Sequence, residues 1–294
     1  MLVVTSITAQ AQYTYTTLYD PSARYGTYAF GISGNNIVGC FQDANNYHGF
    51  LYNGSTWATL DDPLAHSGQT YAHGISGNNI VGYYEDANYM AHGFLYDGSG
   101  WTTLNDPLGA QGTFAIGISG NNIVGYYYDD AANTHGFLYN GSSWTTLDYP
   151  SAESTTARGI SGNNIVGYYY DANWVSHGFL YNGSSWTTLD DPLGGFGQNG
   201  TEVLGISGDN IIGLYWDSDS PAHRFLYNGS SWTTLDDSLL GDSVVFGISD
   251  NNLVGTDYSN ARNPHGFLLT LVPEPSVLVL AGLSIISLLI RCRK

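Results

Sequence analysis

A segment of about 43 residues recurs along nearly the whole chain. Each copy carries Gly-Ile-Ser-Gly-Asn-Asn-Ile-Val-Gly-Tyr or a close variant, an acidic loop, and then a variant of His-Gly-Phe-Leu-Tyr-Asn-Gly-Ser-Ser-Trp-Thr-Thr-Leu. The Gly-Ile-Ser element begins at Gly31, Gly74, Gly117, Gly159, Gly205 and Gly247, in steps of 43, 43, 42, 46 and 42 residues. Such regular repeats indicate one supersecondary unit per copy, stacked so that neighbours bury each other's apolar faces.

Each copy has the pattern of four short strands. Its apolar runs are rich in Ile, Val, Tyr, Phe, Trp and Thr, and Gly, Asn, Ser, Asp and Pro separate them. In the first copy the predicted strands are 28–32, 37–41, 49–52 and 57–60. The turn residues between them tolerate positive φ, as tight hairpins require. The sequence therefore predicts an antiparallel four-stranded meander per copy.

The two ends of the chain complement each other. The His-Gly-Phe element occurs six times, with Arg224 replacing its glycine once. The Trp-Thr-Thr-Leu element occurs only five times, with Ala58 replacing its first threonine once. Residues 15–18, Tyr-Thr-Thr-Leu, precede the first copy. We predict an all-β, six-bladed β-propeller over residues 13–271, in which residues 15–18 pair with 266–269 and close the last blade. The alternative, an open β-solenoid, gives no reason for complementary ends.

The charge balance is strongly acidic. There are 25 acidic residues against seven basic ones, for a formal net charge of −18, and three of the basic residues lie in the last four positions. Such a surface repels nucleic acid and anionic lipid, so we expect no nucleic-acid partner. It can attract divalent cations or cationic polymers.

Both ends carry targeting features. Residues 1–12 have the apolar, small-residue composition of a signal-peptide remnant that ends in Ala9-Gln10-Ala11. At the other end, the uncharged residues 277–290 are followed by Arg291, Arg293 and Lys294, which would stop the chain at the membrane. Fourteen residues make about 21 Å of helix, short of the roughly 30 Å hydrocarbon core. We predict a short hydrophobic helix that anchors the chain only transiently.

The motif Pro273-Glu274-Pro275 precedes this apolar segment. Together with the basic end, residues 272–294 resemble the PEP-CTERM sorting signal of bacterial envelope and exopolysaccharide-associated proteins. The resemblance implies an exosortase, a membrane cysteine transpeptidase, as processing partner, with cleavage near the motif. It also implies delivery to the cell surface or extracellular matrix of a bacterium.

The repeats themselves resemble the HAF family of extracellular repeats, with glycine in place of its alanine. Their Tyr-Asn-Gly-Ser-Ser-Trp turns are also similar to kelch blades, although the kelch diglycine is missing. Neither resemblance implies a catalytic residue. We also find no nucleophile elbow, phosphate loop or zinc-protease motif.

Ligand sites on a symmetric scaffold should lie where the copies differ. Two positions of the presumed innermost strand can be compared between copies: the residue just before Gly-Ile-Ser and the residue two positions earlier. Most copies have apolar residues there, and the polar exceptions of interest are His73, Arg158 and Glu202. We treat these three as candidate ligand-binding residues, and an ion pair between blades is the alternative for Arg158 and Glu202.

The repeated His and Asp residues have other expected roles. The six His-Gly-Phe histidines could form a metal site, but at the start of the third strand they should point away from the axis, which favours a structural role. The loop aspartates could bind calcium, yet they lack EF-hand spacing, so turn formation is favoured. No catalytic residue, metal site or cofactor is assigned, and calcium stays open.

These features favour a non-catalytic, surface-sorted binding or structural protein of the bacterial envelope or exopolysaccharide matrix. A carbohydrate-active or lactone-cleaving propeller enzyme is one alternative, and it would need carboxylates that converge on one loop face. A calcium-dependent adhesin is the other.

Overall fold

The chain folds into six four-stranded antiparallel sheets arranged around one axis. The computed structural model describes residues 12–194, 200–217, 222–235, 240–260 and 262–272. The first strand of each repeat contacts the first strands of both neighbouring repeats, and the last repeat contacts the first. The first strands are therefore innermost and the ring is closed, which confirms the six-bladed propeller.

The strands follow one order in every blade, from the axis outward. The N-terminal strand is β1 (Gln12–Leu18). Blades 1 to 3 contain β2 (Gly26–Ser33), β3 (Asn36–Gln42), β4 (Tyr47–Tyr52), β5 (Trp57–Leu60), β6 (Thr70–Ser76), β7 (Asn79–Glu85), β8 (Ala91–Tyr96), β9 (Trp101–Leu104), β10 (Thr113–Ser119), β11 (Asn122–Tyr128), β12 (Thr134–Tyr139) and β13 (Trp144–Leu147). Blades 4 to 6 contain β14 (Ser154–Ser161), β15 (Asn164–Tyr170), β16 (Ser176–Tyr181), β17 (Trp186–Thr188), β18 (Thr201–Ser207), β19 (Asn210–Tyr215), β20 (His223–Tyr227), β21 (Trp232–Thr234), β22 (Ser243–Ser249), β23 (Asn252–Asp257) and β24 (His265–Val272).

Strand β1 completes blade 6 as its outermost strand. It pairs antiparallel with β24, with Tyr15 opposite Leu269 and Leu18 opposite Gly266. The predicted pairing of residues 15–18 with 266–269 is thereby confirmed. The observed pairing is longer than predicted, because it extends over the whole of β1 as far as Gln12 opposite Val272.

The glycine of Gly-Ile-Ser allows the innermost strands to converge. A Cβ atom at Gly31 would overlap the carbonyl oxygen of His73 in the next blade, and one at Gly74 would lie 2.6 Å from the carbonyl oxygen of Ile116. These are separations that a real side chain does not tolerate. The ring of glycines therefore sets how closely the six blades approach the axis.

Each innermost strand also contains a β-bulge next to that glycine. In blade 1 the register with β3 shifts between Ala29 and Gly31, so Phe30 is an extra residue without a partner. The same shift occurs in the other five blades. Bulges re-aim side chains, and here the extra residue of each blade faces the axis.

The apolar core lies between blades rather than at the centre. Leu18 of blade 6 packs in one cluster with Ala29 and Phe50 of blade 1, and the next cluster joins Leu60 of blade 1 to Phe94 of blade 2. Within a blade, Phe50 lies over Gly39, where a Cβ atom would come within 2.8 Å of the ring. This arrangement explains why both faces of every sheet are apolar.

The targeting features of the sequence lie outside the described residues. These are the signal-peptide remnant up to residue 11, the motif Pro273-Glu274-Pro275, and the apolar and basic segment that follows it. Within the described part of the chain, no helix has the length and hydrophobicity needed to cross a membrane.

Two equivalent leucines test ring closure. Leu18 of β1 is 3% exposed, and Leu60 holds the same place on the outermost strand of blade 1 with 7% exposure. We expect Leu18→Ala and Leu60→Ala to destabilise the fold by similar amounts, about 2–5 kcal/mol each, because each empties an inter-blade core. Urea and thermal unfolding of the two variants measure this. A large effect of Leu60→Ala with none of Leu18→Ala would show that β1 does not close the ring.

Candidate functional site

The two ends of the propeller differ in how strictly they repeat. Hairpins after the first and third strands form one end, which we call the turn face, and they are nearly identical in each copy. In blade 1 the Asn53 side chain accepts hydrogen bonds from the backbone N–H groups of Ser55 and Thr56, and Asp97 does the same in blade 2. Loops after the second and fourth strands form the other end, the loop face, and here the copies diverge.

Six bulge residues surround a small cavity on the axis, of about 60 Å³. They are Phe30, His73, Ile116, Arg158, Leu204 and Phe246. Two of the three candidate ligand-binding residues, His73 and Arg158, therefore face the axis. They lie two blades apart.

His73 is held between aromatic rings. Its ring stacks on Phe30 at 4.5 Å and on Tyr83 at 5.5 Å between centroids. Its Nε2 atom is buried and has no hydrogen-bond partner among the described residues. Desolvation, assisted by the positive charge of Arg158, lowers the pKa of His73 to about 3. The imidazole is therefore neutral at ordinary pH and acts as an aromatic packing group.

Arg158 is held between two tyrosines of neighbouring blades. Its guanidinium carbon lies 5.8 Å from the ring centroid of Tyr126 in blade 3 and 5.5 Å from that of Tyr168 in blade 4. Its Nη2 donates a hydrogen bond to the Tyr168 hydroxyl at 3.1 Å. Its Nε is buried and has no partner in the described part of the chain. The side chain is enclosed by protein but keeps some accessible surface, because it lines both the axial cavity and a cleft beside it.

Glu202 lies on the innermost strand of blade 5, next to blade 4. Burial raises the pKa of this carboxyl, and Arg158 and a hydrogen bond from the Tyr170 hydroxyl partly oppose the rise. That hydroxyl donates to Oε1 at 3.3 Å, while Arg158 donates to Tyr168 instead. The two charges thus interact across the blade boundary, each with a tyrosine as its hydrogen-bond partner.

The cleft beside Arg158 opens on the loop face between blades 3 and 4 and has a volume of about 380 Å³. Its lining is aromatic and polar: Tyr126, Tyr128, Ala132, Asn133, Thr134, Glu153, Ser154, Thr156, Arg158, Tyr168, Tyr170 and Trp174. Arg158 is the one cation of this lining, and Glu153 is its one carboxylate. Glu202 is absent from the lining, although Tyr170 links it to the cleft.

Trp174 projects from the loop at the rim of the cleft. The side chain is 58% exposed, and its ring centroid lies 5.8 Å from that of Tyr170. Its φ of +59° is left-handed, which costs a bulky residue about 1–2 kcal/mol. The Asp171 side chain holds the loop by accepting hydrogen bonds from the N–H groups of Asn173 and Val175. Tyr89 has the equivalent place and conformation in blade 2, with φ of +61°.

Sequence reasoning missed most of this cleft. It identified Arg158 as a symmetry-breaking residue but not the tyrosines around it. The signal was present, because only the third and fourth copies carry three consecutive tyrosines after Ile-Val-Gly, at 126–128 and 168–170. Adjacent copies with this pattern place two aromatic surfaces on either side of one blade boundary.

The repeat histidines lie on the third strands, away from the axis. Four of them each join two loops: His48, His92, His135 and His177. In blade 3, His135 contacts Asp148 through Nδ1 at 2.9 Å and Asp129 through Nε2 at 3.4 Å, and its ring stacks on Tyr127. Desolvation lowers the pKa of His135, but the two carboxylates outweigh it and the net shift is upward. Within the described ranges, no group of three or more metal-binding side chains is arranged to hold an ion.

The repeat aspartates serve in turns. Asp86 and Asp129 accept backbone N–H hydrogen bonds within their own loops. Asp62 and Asp106 are buried at the connections between blades, where each donates its own N–H to a threonine hydroxyl and accepts a hydrogen bond from a leucine N–H. These contacts account for the repetition of acidic residues.

The neutral state of His73 gives a pH-dependent prediction. Between pH 6.5 and 3 the unfolded chain binds a proton that the folded state excludes, so His73 makes the fold less stable as the pH falls. His73→Phe keeps the ring stack and removes the titration. We expect the unfolding free energy of His73→Phe to rise, relative to that of the native protein, by about 1.4 kcal/mol per pH unit as the pH falls from 6.5 towards 3. Urea unfolding at several pH values measures this, and parallel pH curves for the two proteins would contradict it.

Comparison with known proteins finds similarity of fold. No protein-family model and no curated protein sequence matches the chain. A fungal lectin from Aleuria aurantia, described as a six-bladed β-propeller with a novel fucose recognition mode, is 16% identical, with a TM-score of 0.50 over 86% of this chain and 93% of the lectin. The SapL1 lectin, solved with α-methyl fucoside, is 18% identical, with a TM-score of 0.52 over 86% and 99%. TolB from Acinetobacter baumannii is 15% identical, with a TM-score of 0.50 over 83% of this chain and 63% of TolB. At these identities the likeness establishes a shared six-bladed propeller fold and nothing finer.

Proposed function

We propose that this protein is a non-catalytic carbohydrate-binding propeller and that the cleft between blades 3 and 4 holds the sugar. The observation that carries the proposal is the exposed Trp174 at the rim of a tyrosine-lined cleft. Tyr89 is also exposed and has the same conformation in blade 2, so what distinguishes Trp174 is the tyrosine-lined cleft beside it. The Trp174 ring offers a flat apolar surface for the C–H face of a sugar ring, and the tyrosine hydroxyls can bond the sugar hydroxyls.

The size and polarity of the cleft suit this role. A volume of about 380 Å³ falls within the range of small-ligand sites. Besides the tyrosine hydroxyls, the lining contains the hydrogen-bonding side chains of Asn133, Glu153 and Ser154. Lectins of similar fold bind fucose, as their descriptions state, but the present proposal is based on the cleft itself.

The ionisable groups favour binding over hydrolysis. A glycoside hydrolase ordinarily needs two carboxyl groups that flank the bond to be cleaved. Among the described lining residues, Glu153 is the single carboxylate. Glu202 lies outside this lining, although the Tyr170 hydroxyl links it to the cleft. A carbohydrate-active enzyme would therefore lack its second carboxyl group in this lining. An assay for cleavage of the glycosidic bond distinguishes such an enzyme from a binding protein.

We further propose that the protein works outside the cell, as a component of the envelope or exopolysaccharide matrix. The support is the resemblance of residues 272–294 to a PEP-CTERM signal, with its exosortase partner and temporary membrane attachment. A matrix polysaccharide is then the natural partner of the cleft. The acidic composition of the chain agrees with an extracellular, soluble propeller after processing.

Trp174 and Tyr89 form a matched pair for testing the sugar site. Both are exposed and left-handed at the same loop position, but only Trp174 borders the cleft. Against a panel of bacterial exopolysaccharide oligosaccharides, we expect Trp174→Ala to weaken binding about tenfold, through the loss of roughly 1–1.5 kcal/mol of ring contact. Tyr89→Ala should bind like the native protein. Calorimetry and tryptophan fluorescence measure both.

Two results would overturn the proposed function. The first is a panel on which the native protein binds no glycan, and the second is equal loss of binding in the two variants. If the native protein releases new reducing or unsaturated sugar ends from a bound oligosaccharide, the enzyme alternative holds instead of the non-catalytic one.

Processing of the C-terminus has its own test. Fourteen apolar residues and three cations can pause a chain in the membrane but make a poor permanent anchor. We therefore expect the mature protein to lack residues 277–294 and to be found outside the cell. Mass spectrometry of protein from the native host measures its C-terminus. Recovery of an intact Arg-Cys-Arg-Lys end from the extracellular fraction would contradict processing.

A further inference from the structure

Arg158 is an enclosed cation that the protein does not fully compensate. A guanidinium has five N–H donors, and the described structure uses one of them, in the hydrogen bond to the Tyr168 hydroxyl. The negative charge of Glu202 acts on Arg158 across space, while a carboxylate oxygen of Glu202 accepts a hydrogen bond from Tyr170. The hydrogen-bonding capacity of Arg158 toward the cleft is therefore largely unused.

The surroundings of Arg158 do not replace a direct anionic partner. Two tyrosine rings at 5.5 and 5.8 Å supply a modest cation–π attraction. Enclosing a charged group is unfavourable, and a buried charge is normally paired. A ligand that brings a carboxylate to the guanidinium would restore this pairing.

Arg158 lines the same cleft as the aromatic residues Trp174 and Tyr170. Its guanidinium lies over the ring of Tyr168, which is also part of that lining. A sugar ring on the rim aromatics could thus extend a substituent inward to the cation. Arginine recognises planar carboxylates through paired hydrogen bonds, so a carboxylate is the substituent that this donor fits best.

We propose that the ligand of the cleft is an acidic saccharide, a uronate residue whose carboxylate pairs with Arg158 while its ring contacts the rim aromatics. The inference rests on the proposed function, because it names the sugar class that the same cleft selects. Neutral sugars would use the aromatic surface alone and leave the guanidinium unpaired, so they bind more weakly.

The net charge of the protein determines how the binding of an acidic ligand should depend on salt. With 25 acidic residues against seven basic ones, the protein repels a long polyanion at a distance. The pair with Arg158 is local and enclosed, whereas the repulsion is long-range and screened by salt. The Debye length falls from about 30 Å at 0.01 M to about 8 Å at 0.15 M ionic strength. Oligouronate binding should therefore become tighter over this range of salt.

The test compares oligouronates with their own carboxyl-reduced forms on the full chain. Reduction converts each uronate into the matching neutral sugar, so the two ligands differ only at the carboxylate. We expect the acidic form to bind about tenfold to a hundredfold more tightly, because one charge-assisted hydrogen bond supplies a gain in affinity of that size. Arg158→Leu should remove this preference. Leucine is suited to the position, because Leu204 is the equivalent residue of blade 5.

Two controls separate site chemistry from folding and from general charge. Arg24→Gln removes one positive charge at an exposed residue elsewhere, so it should leave the preference unchanged. Thermal unfolding and residual binding of the neutral sugar show whether Arg158→Leu is folded. If that variant unfolds, the native protein's preference between the acidic and reduced ligands still decides the proposal.

Each outcome has a defined meaning. Equal binding of the acidic and reduced oligosaccharides would overturn the assignment to uronates and leave the sugar cleft intact. An unchanged preference in folded Arg158→Leu would overturn the role of Arg158. Failure of the native protein to bind either form would overturn both this inference and the proposed function.

Discussion

The close contact of six innermost strands at the axis is the constraint on which the rest of this protein depends. It is possible because each copy has a glycine where the strand meets the next blade, as Gly31 does against His73. Apolar side chains then fill the spaces between blades, and β1 completes the last sheet. A side chain at Gly31, Gly74 or Gly247 would collide with the backbone of the next blade.

The same convergence creates the asymmetry that function needs. A bulge beside each glycine turns one side chain per blade toward the axis, where Arg158 and His73 interrupt an otherwise apolar ring. The turn face is fixed by repeated Asx-type hydrogen bonds and leaves little variation for a ligand site. Variation is instead concentrated on the loop face, and the cleft between blades 3 and 4 is where axial charge and loop aromatics meet.

Much of the fold could be predicted from the sequence because the repeat makes each local signal appear several times. Blade number, strand order and closure by residues 15–18 all follow from periodicity and from the missing sixth Trp-Thr-Thr-Leu element. The site was harder to predict. Strand alternation alone gives no sign of the bulge that aims Arg158, and the left-handed conformation of Trp174 depends on hydrogen bonds to Asp171. The tyrosine pair across the blade boundary needs the relative placement of two copies, which a single strand pattern does not contain.

The central claim is that one symmetry-breaking cleft, rather than a repeated surface, recognises an acidic sugar. A crystal structure of the protein with a bound oligouronate tests it most directly. The account predicts ligand density between blades 3 and 4 alone, with a sugar ring on Trp174 and its carboxylate on Arg158. Density at equivalent positions in several blades, or a bound sugar whose carboxylate points away from Arg158, would contradict it.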